Sequence, residues 1–202
     1  MAEVVRQRIV PVSLVRVAGP VAELVSVEQA RLHCRVPELS DPDEDARAVG
    51  LLARYVAAAR EYVEAATGRT FYRTTWRAII PATRRVALPR ATPLRSVASV
   101  EWRSDAWSLW QSLTEGTDYV ADTSTIPGAI ECARTAGELR VEYDAGADAG
   151  TEPESAAVQA VLLMTGALWE NREAETVTDR AAVDAVAFRH GLDALIGMLR
   201  VA

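Results

Sequence analysis

Apolar positions along the chain recur with two different periods, and the change of period divides it. The first helical signal begins at Ser26, whose hydroxyl can cap the amide of Gln29 while the Gln29 side chain reaches back, a reciprocal capping box. A helix is therefore expected over 27–36, stopped by Pro37, which supplies no amide and restricts the residue before it. A second start follows: Asp41 is a natural N-cap, Pro42 suits the first helical position, and Asp43, Glu44 and Asp45 meet the positive end of the helix dipole. From Ala46 to Thr67, Leu52, Val56, Ala59, Val63 and Ala66 recur at steps of three and four and predict one buried stripe, widened by Leu51, Tyr55 and Tyr62. Arg47, Arg54, Glu61 and Glu64 are predicted to face away from it, and Gly68 to close the helix in a left-handed conformation. At 1.5 Å per residue this helix is about 35–40 Å long, more than a core of this size needs, which leaves surface for a neighbour.

The period then shortens. Residues 71–80, 84–88, 97–102, 108–113, 119–121, 129–133 and 139–143 are short, β-branched or aromatic runs punctuated by Pro, Gly, Asp and Ser, which predicts an antiparallel β unit from about 70 to 146 with a hairpin loop at 103–106. Asp144 to Glu152 reads as a glycine-rich exit. Helical spacing returns from Pro153 with Val158, Val161, Leu162, Thr165, Leu168 and Trp169, apolar almost all round, which suits the centre of a bundle against the 43–67 helix. A polar break spans 170–179, and Leu192, Leu195, Ile196 and Leu199 line one side of a last amphipathic stretch over 191–201. Before the first helix only Val10, Val12 and Leu14 alternate, as an edge strand or an arm. The expected fold class is α+β: an antiparallel helical bundle with an inserted small antiparallel β unit. Its organisation would be an N-terminal arm (1–25), a helical core (26–69 with 152–202) and a β region (70–151).

Composition narrows this. The chain has 202 residues, half of them apolar and a quarter charged, with a formal net charge of −6. That is enough for one core carrying an insertion, and it excludes disorder as the dominant state. No run approaches the ~20 apolar residues of a membrane-spanning helix. The stretch Ile9–Val17 is interrupted by Pro11, Ser13 and Arg16 and lacks a signal-peptide layout, so an intracellular product is expected. All 22 basic residues are arginine and 36 residues are alanine, a bias that GC-rich coding explains. Arginine forks also favour fixed bidentate contacts at protein interfaces. An acidic chain, with a pI near 5.1, is poorly suited to gripping a nucleic-acid backbone.

Candidate chemistry is sparse. Cys34 and Cys132 form neither a disulfide framework nor a zinc site. His33 and Cys34, as helical neighbours, point about 100° apart and cannot chelate one ion together. A catalytic Cys/His pair would need His33 or His190 brought to Cys132 by the tertiary fold. The acidic run 41–45 lacks calcium-loop spacing and is explained by helix capping. No phosphate-binding, zinc-protease or serine-hydrolase motif occurs, and no catalytic residue, metal or cofactor is assigned. Trp102, Trp107 and Trp110 flank the predicted hairpin and fit three readings: cross-strand packing, a subunit interface, or a sugar-stacking platform. Glu170-Asn171-Arg172-Glu173 is either a solvated helix end or an ion-pair contact with another copy. Two further function classes follow from these residues, a carbohydrate- or ligand-binding β module and a thiol-dependent enzyme.

Taken in order, Ser26-Val27-Glu28-Gln29-Ala30-Arg31-Leu32-His33-Cys34-Arg35-Val36, Ala58 to Glu64, Thr67-Gly68-Arg69, Thr75-Trp76, Leu88-Pro89-Arg90, Pro93 to Val97, Val141 to Gly146, Leu162-Leu163 and Trp169 to Glu173 resemble the head–tail connector (adaptor) proteins of long-tailed phages, prophages and gene-transfer agents. The likeness covers about residues 25 to 200. It departs from the family at Ala187-Phe188-Arg189-His190-Gly191, where a Pro-Phe-Gly-like step is usual, and in the first 25 residues. The resemblance implies a virion component without catalysis: a ring, expected twelve-fold, seated under the portal in the neck and assembled in the bacterial cytoplasm. Such a ring extends the channel, lets double-stranded DNA pass without specific binding, and joins portal to stopper or tail-completion protein; those two roles in the same neck are the alternatives. No membrane is involved. By position, Gly191, Leu192, Leu195, Ile196, Leu199 and Arg200 would dock on the portal. Arg47, Arg54, Glu61, Glu64, Trp107, Trp110, Glu170 and Arg172 would lie between ring neighbours. Removing 191–202 is then expected to leave the fold intact, and the isolated chain to be a monomer or weak oligomer.

Overall fold

A computed structural model of the chain describes residues 13–171 and 191–200. It divides into two compact units, each discontinuous in sequence: one takes in the chain up to Val21 and Gly68–Ala149, the other Ala22–Thr67 and the chain from Gly150 on. The class is α+β.

The first unit is built from eight strands: β1 (Ser13–Ala18), β2 (Thr74–Pro81), β3 (Arg85–Ala87), β4 (Leu94–Arg103), β5 (Gln111–Ser112), β6 (Tyr119–Asp122), β7 (Ala129–Cys132) and β8 (Glu138–Ala145). They form a five-stranded sheet, β1-β2-β8-β4-β5, and a three-stranded sheet, β3-β7-β6. Every strand pair is antiparallel. Strict alternation explains why the large sheet has one dry face. In β8, Leu139, Val141, Tyr143 and Ala145 are buried while Glu138, Arg140, Glu142 and Asp144 look outward. β2 matches it with Trp76, Ala78 and Ile80, and the small sheet contributes Val86, Tyr119, Ile130 and Cys132 to the same core. Two polar tips are satisfied inside it: the Trp76 indole donates to the Thr70 hydroxyl at 3.1 Å, and the Tyr143 hydroxyl donates to the Pro89 carbonyl. Gly146 follows β8 at φ +99°, and a Cβ there would sit 2.5 Å from the backbone of Tyr72, so no other residue fits. The β part exceeds the small insertion that periodicity suggested, because residues 13–18, upstream of every helix, supply its edge strand.

The second unit is helical: α1 (Val27–His33), α2 (Pro42–Thr67), α3 (Ser155–Glu170) and α4, residues 191–199. The capping box forms, with the Gln29 amide donating to Ser26 Oγ at 3.1 Å and the Ser26 amide to Gln29 Oε1 at 2.9 Å. α1 is shorter than predicted, because Arg35 turns to φ +53° and the chain reverses before Pro37. Arg31 fixes this corner: its guanidinium donates to the Pro37 carbonyl at 2.7 Å and to Asp45 at 2.6 and 3.1 Å. At the start of α2, Asp41 Oδ1 accepts from the amides of Asp43 (2.9 Å) and Glu44 (3.4 Å), and Gly68 ends the helix at φ +74°.

Burial corrects three helical expectations. Leu52, Val56, Ala59 and Val63 are buried as predicted, but Tyr62 is exposed, and Glu64, expected to face away, is buried. α3 is not enclosed all round: its covered stripe is Ala157, Ala160, Val161 and Thr165, small residues that let a neighbouring helix approach closely, while Leu162, Leu163, Leu168 and Trp169 are only half-buried. On α4, Leu192, Ile196 and Leu199 are buried in the chain itself, Leu195 is half-buried, and Gly191 and Arg200 are exposed. Removing α4 would therefore uncover apolar surface, contrary to the sequence expectation. Val10 and Val12, Arg172, the break after Asn171, the 187–190 step with His190, and residues 201–202 lie outside the described residues.

Candidate functional site

The hairpin joining β4 to β5 is held from several sides, and what it holds outward is apolar. Asp105 organises its tip: the carboxylate accepts from the amides of Trp107 (2.9 Å) and Ser108 (3.0 Å) and from the hydroxyls of Ser104 and Ser108 (both 2.9 Å). These bonds, the Ser108 hydroxyl foremost, hold the Asp105 carboxyl below the usual carboxylate range. At the base, Arg103 pairs with Glu138 at 2.5 Å, and its guanidinium carbon lies 4.4 Å from the centre of the Trp110 ring. Arg140 stacks on the same ring at 4.7 Å. Trp102 donates its indole N–H to the Ala136 carbonyl at 2.8 Å and lies under Arg134 at 4.8 Å. Gly137 closes the base at φ +90°, where a Cβ would collide with the Arg103 carbonyl at 2.2 Å.

The three tryptophans thus have separate roles. Trp102 and Trp110 are half-buried with arginine side chains stacked on their rings, which favours packing within the chain over a shared stacking platform. Trp107 is 96 % exposed and Leu109 87 % exposed. A turn held by this many hydrogen bonds thus carries two large apolar side chains into solvent.

The outward face of the five-stranded sheet carries charge that is already matched within the chain. Val15, Arg77, Glu142 and Ser99 share one cross-strand row, and Ser13, Ile79, Arg140, Glu101 and Ser112 the next. Arg77 meets Glu142 at 2.7 Å and Arg140 meets Glu101 at 2.5 Å. Asp144 takes Arg73 at 2.7 Å on one oxygen and Thr75 at 2.7 Å on the other. The Arg140 hydrogen bond holds the Glu101 carboxyl below its usual range. The large apolar side chains left most open around this sheet are therefore Val15 and Val17 on its edge strand β1, and Trp107 and Leu109 in the turn between β4 and β5.

On α2 the outer face is Arg47, Gly50, Arg54, Ala58, Glu61, Tyr62 and Ala65, all exposed. Glu64 is not part of it. It pairs at 2.8 Å with Arg60, which is equally buried and also meets Glu23 at 2.8 Å and Glu61 at 3.7 Å. Burial opposes the Arg60 charge, but these carboxylates outweigh it and keep the guanidinium protonated. Sequence reasoning missed this buried group, although the Arg60–Glu64 spacing of four was its signal. Glu170 is exposed at the end of α3, and Arg172 lies outside the described residues.

The cysteines do not favour thiol chemistry. Cys34 is half-buried, and its pKa is raised by burial and by the nearby Glu170 carboxylate, the opposite of what a nucleophilic thiol needs. Cys132 is buried in the β core. Among the described residues no group of three or more His, Cys, Asp or Glu is arranged to hold a metal, and no helix is long and apolar enough to cross a membrane.

No protein-family model matches the sequence, and neither does any curated protein. Solved structures do share its fold. A chain in the neck of an empty gene-transfer-agent (GTA) particle, computed with C6 symmetry, superposes with a TM-score of 0.70 at 21 % identity, covering 94 % of this chain and 96 % of its own length. A chain of the virion of a native GTA particle gives 0.67 at 20 % identity over 94 % and 95 % of the two chains. A chain in the neck of a native GTA particle, computed with C12 symmetry, gives 0.58 at 18 % identity over 92 % and 95 %.

Proposed function

We propose that this chain is a structural subunit of the neck of a tailed-phage-like or gene-transfer-agent particle, and within it the head–tail adaptor: a ring of identical copies seated on the portal. The observation that carries this reading is the fold shared over more than nine-tenths of both chains with components of GTA particles. Cyclic symmetry was used for two of those necks, which supports a ring. A ring built head to tail needs two different complementary surfaces on each copy. The Trp107 tip and the mixed charges Arg47, Arg54, Glu61 and Glu170 are the surfaces that would serve neighbours. The net charge of −6 per copy would set copies against one another unless arginines lie across their interfaces, and an acidic subunit is poorly suited to holding DNA. The portal would be met through the exposed side of α4 and the residue after it, at Met198 and Arg200, rather than through its buried stripe. The role is architectural, with no substrate turned over.

Imaging the neck of purified particles tests this directly. A ring of this chain in contact with the portal is expected. The same chain one tier lower would make it a stopper or tail-completion protein, and its absence from particles would overturn the proposal.

A further inference from the structure

We infer that ring neighbours meet through the β unit, with the Trp107–Leu109 tip of one copy seated on the β1 edge of the next, around Val15 and Val17. This rests on the ring reading above and names the contact. The tip is the turn at the strand ends of β4 and β5, whereas β1 is the far edge strand of the same sheet, so the two are separate surfaces of one unit. That is the arrangement a heterologous contact requires, since each copy must offer one surface forward and another back. The outward face of the sheet is neutralised by its own cross-strand ion pairs and offers a neighbour little.

β1 suits a receiving role. It is the outermost strand of the sheet, and Val17 is the extra residue of a bulge between Arg16 and Ala18. Val15 is 52 % and Val17 45 % exposed. An apolar edge of this kind invites pairing with another chain unless something covers it.

The size of the contact also fits a copy of the same chain held on a common platform. Trp107 and Leu109 together present roughly 300–400 Å² of apolar surface, against the ~800 Å² per partner of a standard stable interface. Such a pairwise contact is weak in solution and becomes effective when a ring of copies is tethered side by side.

Disulfide trapping tests the pairing. In a Cys34→Ser background, chains carrying Leu109→Cys and chains carrying Val17→Cys are mixed at millimolar concentration with a mild oxidant, and the products are separated without reductant. Both substitutions fall on exposed side chains, so both proteins should melt as the background does. Mixed dimers are expected at least tenfold above the dimers either chain forms alone. Leu109→Cys homodimers in excess would mean two-fold, tip-to-tip pairing and would overturn the inference. No enrichment of mixed dimers would also overturn it. A failed trap with the chain present in the neck of particles removes this contact alone, whereas absence of the chain from particles removes the ring reading itself.

Discussion

The Arg60 guanidinium lies 2.8 Å from the Glu64 carboxylate, one turn along α2, and both side chains are almost wholly withdrawn from water, at 2 % and 1 % exposure. Withdrawn from water, each charge depends heavily on its pairing. Replacing Glu64 by alanine leaves the arginine with Glu23 and Glu61 only, both at the solvent boundary. Breaking a buried pair from one side typically costs about 3–5 kcal/mol, whereas replacing both partners by apolar residues of like volume is often neutral. Glu64→Ala should therefore lower the unfolding midpoint sharply, and Arg60→Met with Glu64→Leu should restore most of it. Equal losses in the single and double variants, measured by urea unfolding, would show that the pair contributes nothing of its own.

Acid should act on the bonded carboxylates as a group. The Arg31 fork lowers the Asp45 pKa, the Arg140 hydrogen bond lowers that of Glu101, and the Ser108 hydroxyl lowers that of Asp105. Asp122 is lowered by the Ser124 hydroxyl and then by Arg85; for Asp144 burial opposes the charge, but Thr75 and Arg73 outweigh it. Each carboxylate binds its proton less readily folded than unfolded. The stability they contribute is complete above the ordinary values of 3.8 for Asp and 4.5 for Glu and is lost as pH falls through the lowered values. Urea midpoints should be flat from pH 8 to about 5.5 and fall steeply below about pH 4. A midpoint that rises on acidification would contradict this assignment.

The tryptophans of the hairpin should respond in opposite ways. Trp107 is almost fully exposed, so Trp107→Ala should change stability by less than about 0.5 kcal/mol. Trp110 is in contact with two guanidinium groups, and Trp110→Ala removes both contacts, at roughly 0.5–1 kcal/mol each. Thermal melts of the two variants separate the roles: a large loss for Trp107→Ala would mean that the tip packs inside the chain.

How far these features could be read in advance depends on whether the signal was local. Capping at Ser26 and Asp41, the left-handed stop at Gly68 and the alternation of β8 are decided by residues within one turn or one strand of each other, and they stood in the sequence. The strand order β1-β2-β8-β4-β5 was not legible, because it joins residue 13 to residue 79 and depends on which edges remain unpaired. The same holds for the candidate surface. Three clustered tryptophans are visible in the sequence, but only the Asp105 turn, the arginines over Trp102 and Trp110 and the tight turn at Gly137 decide that Trp107 alone points outward. Glu64 was misassigned for a related reason: a charged side chain is placed on the surface by default, and the partner that overrides this, Arg60, had itself to be recognised as buried.

The last helix separates packing from docking. Leu192, Ile196 and Leu199 are buried, whereas Met198, on the same short helix, is 76 % exposed and Arg200, just past its end, is exposed too. If α4 were only a portal anchor, deleting it would spare the fold. Its buried stripe argues otherwise, since truncating a buried leucine or isoleucine to alanine typically costs about 2–5 kcal/mol. Ile196→Ala should therefore destabilise the chain on its own, and deletion from Gly191 onward should do so more severely. Met198→Glu and Arg200→Glu touch only the exposed side. Both should melt like the parent protein, with Arg200 giving up a long 3.4 Å hydrogen bond to the Ala66 carbonyl. If the outer side of α4 meets the portal, both should nevertheless fall at least tenfold in recovery on purified particles or on isolated portal. Unchanged recovery of both variants would place the portal contact elsewhere on the chain and leave α4 a purely internal element.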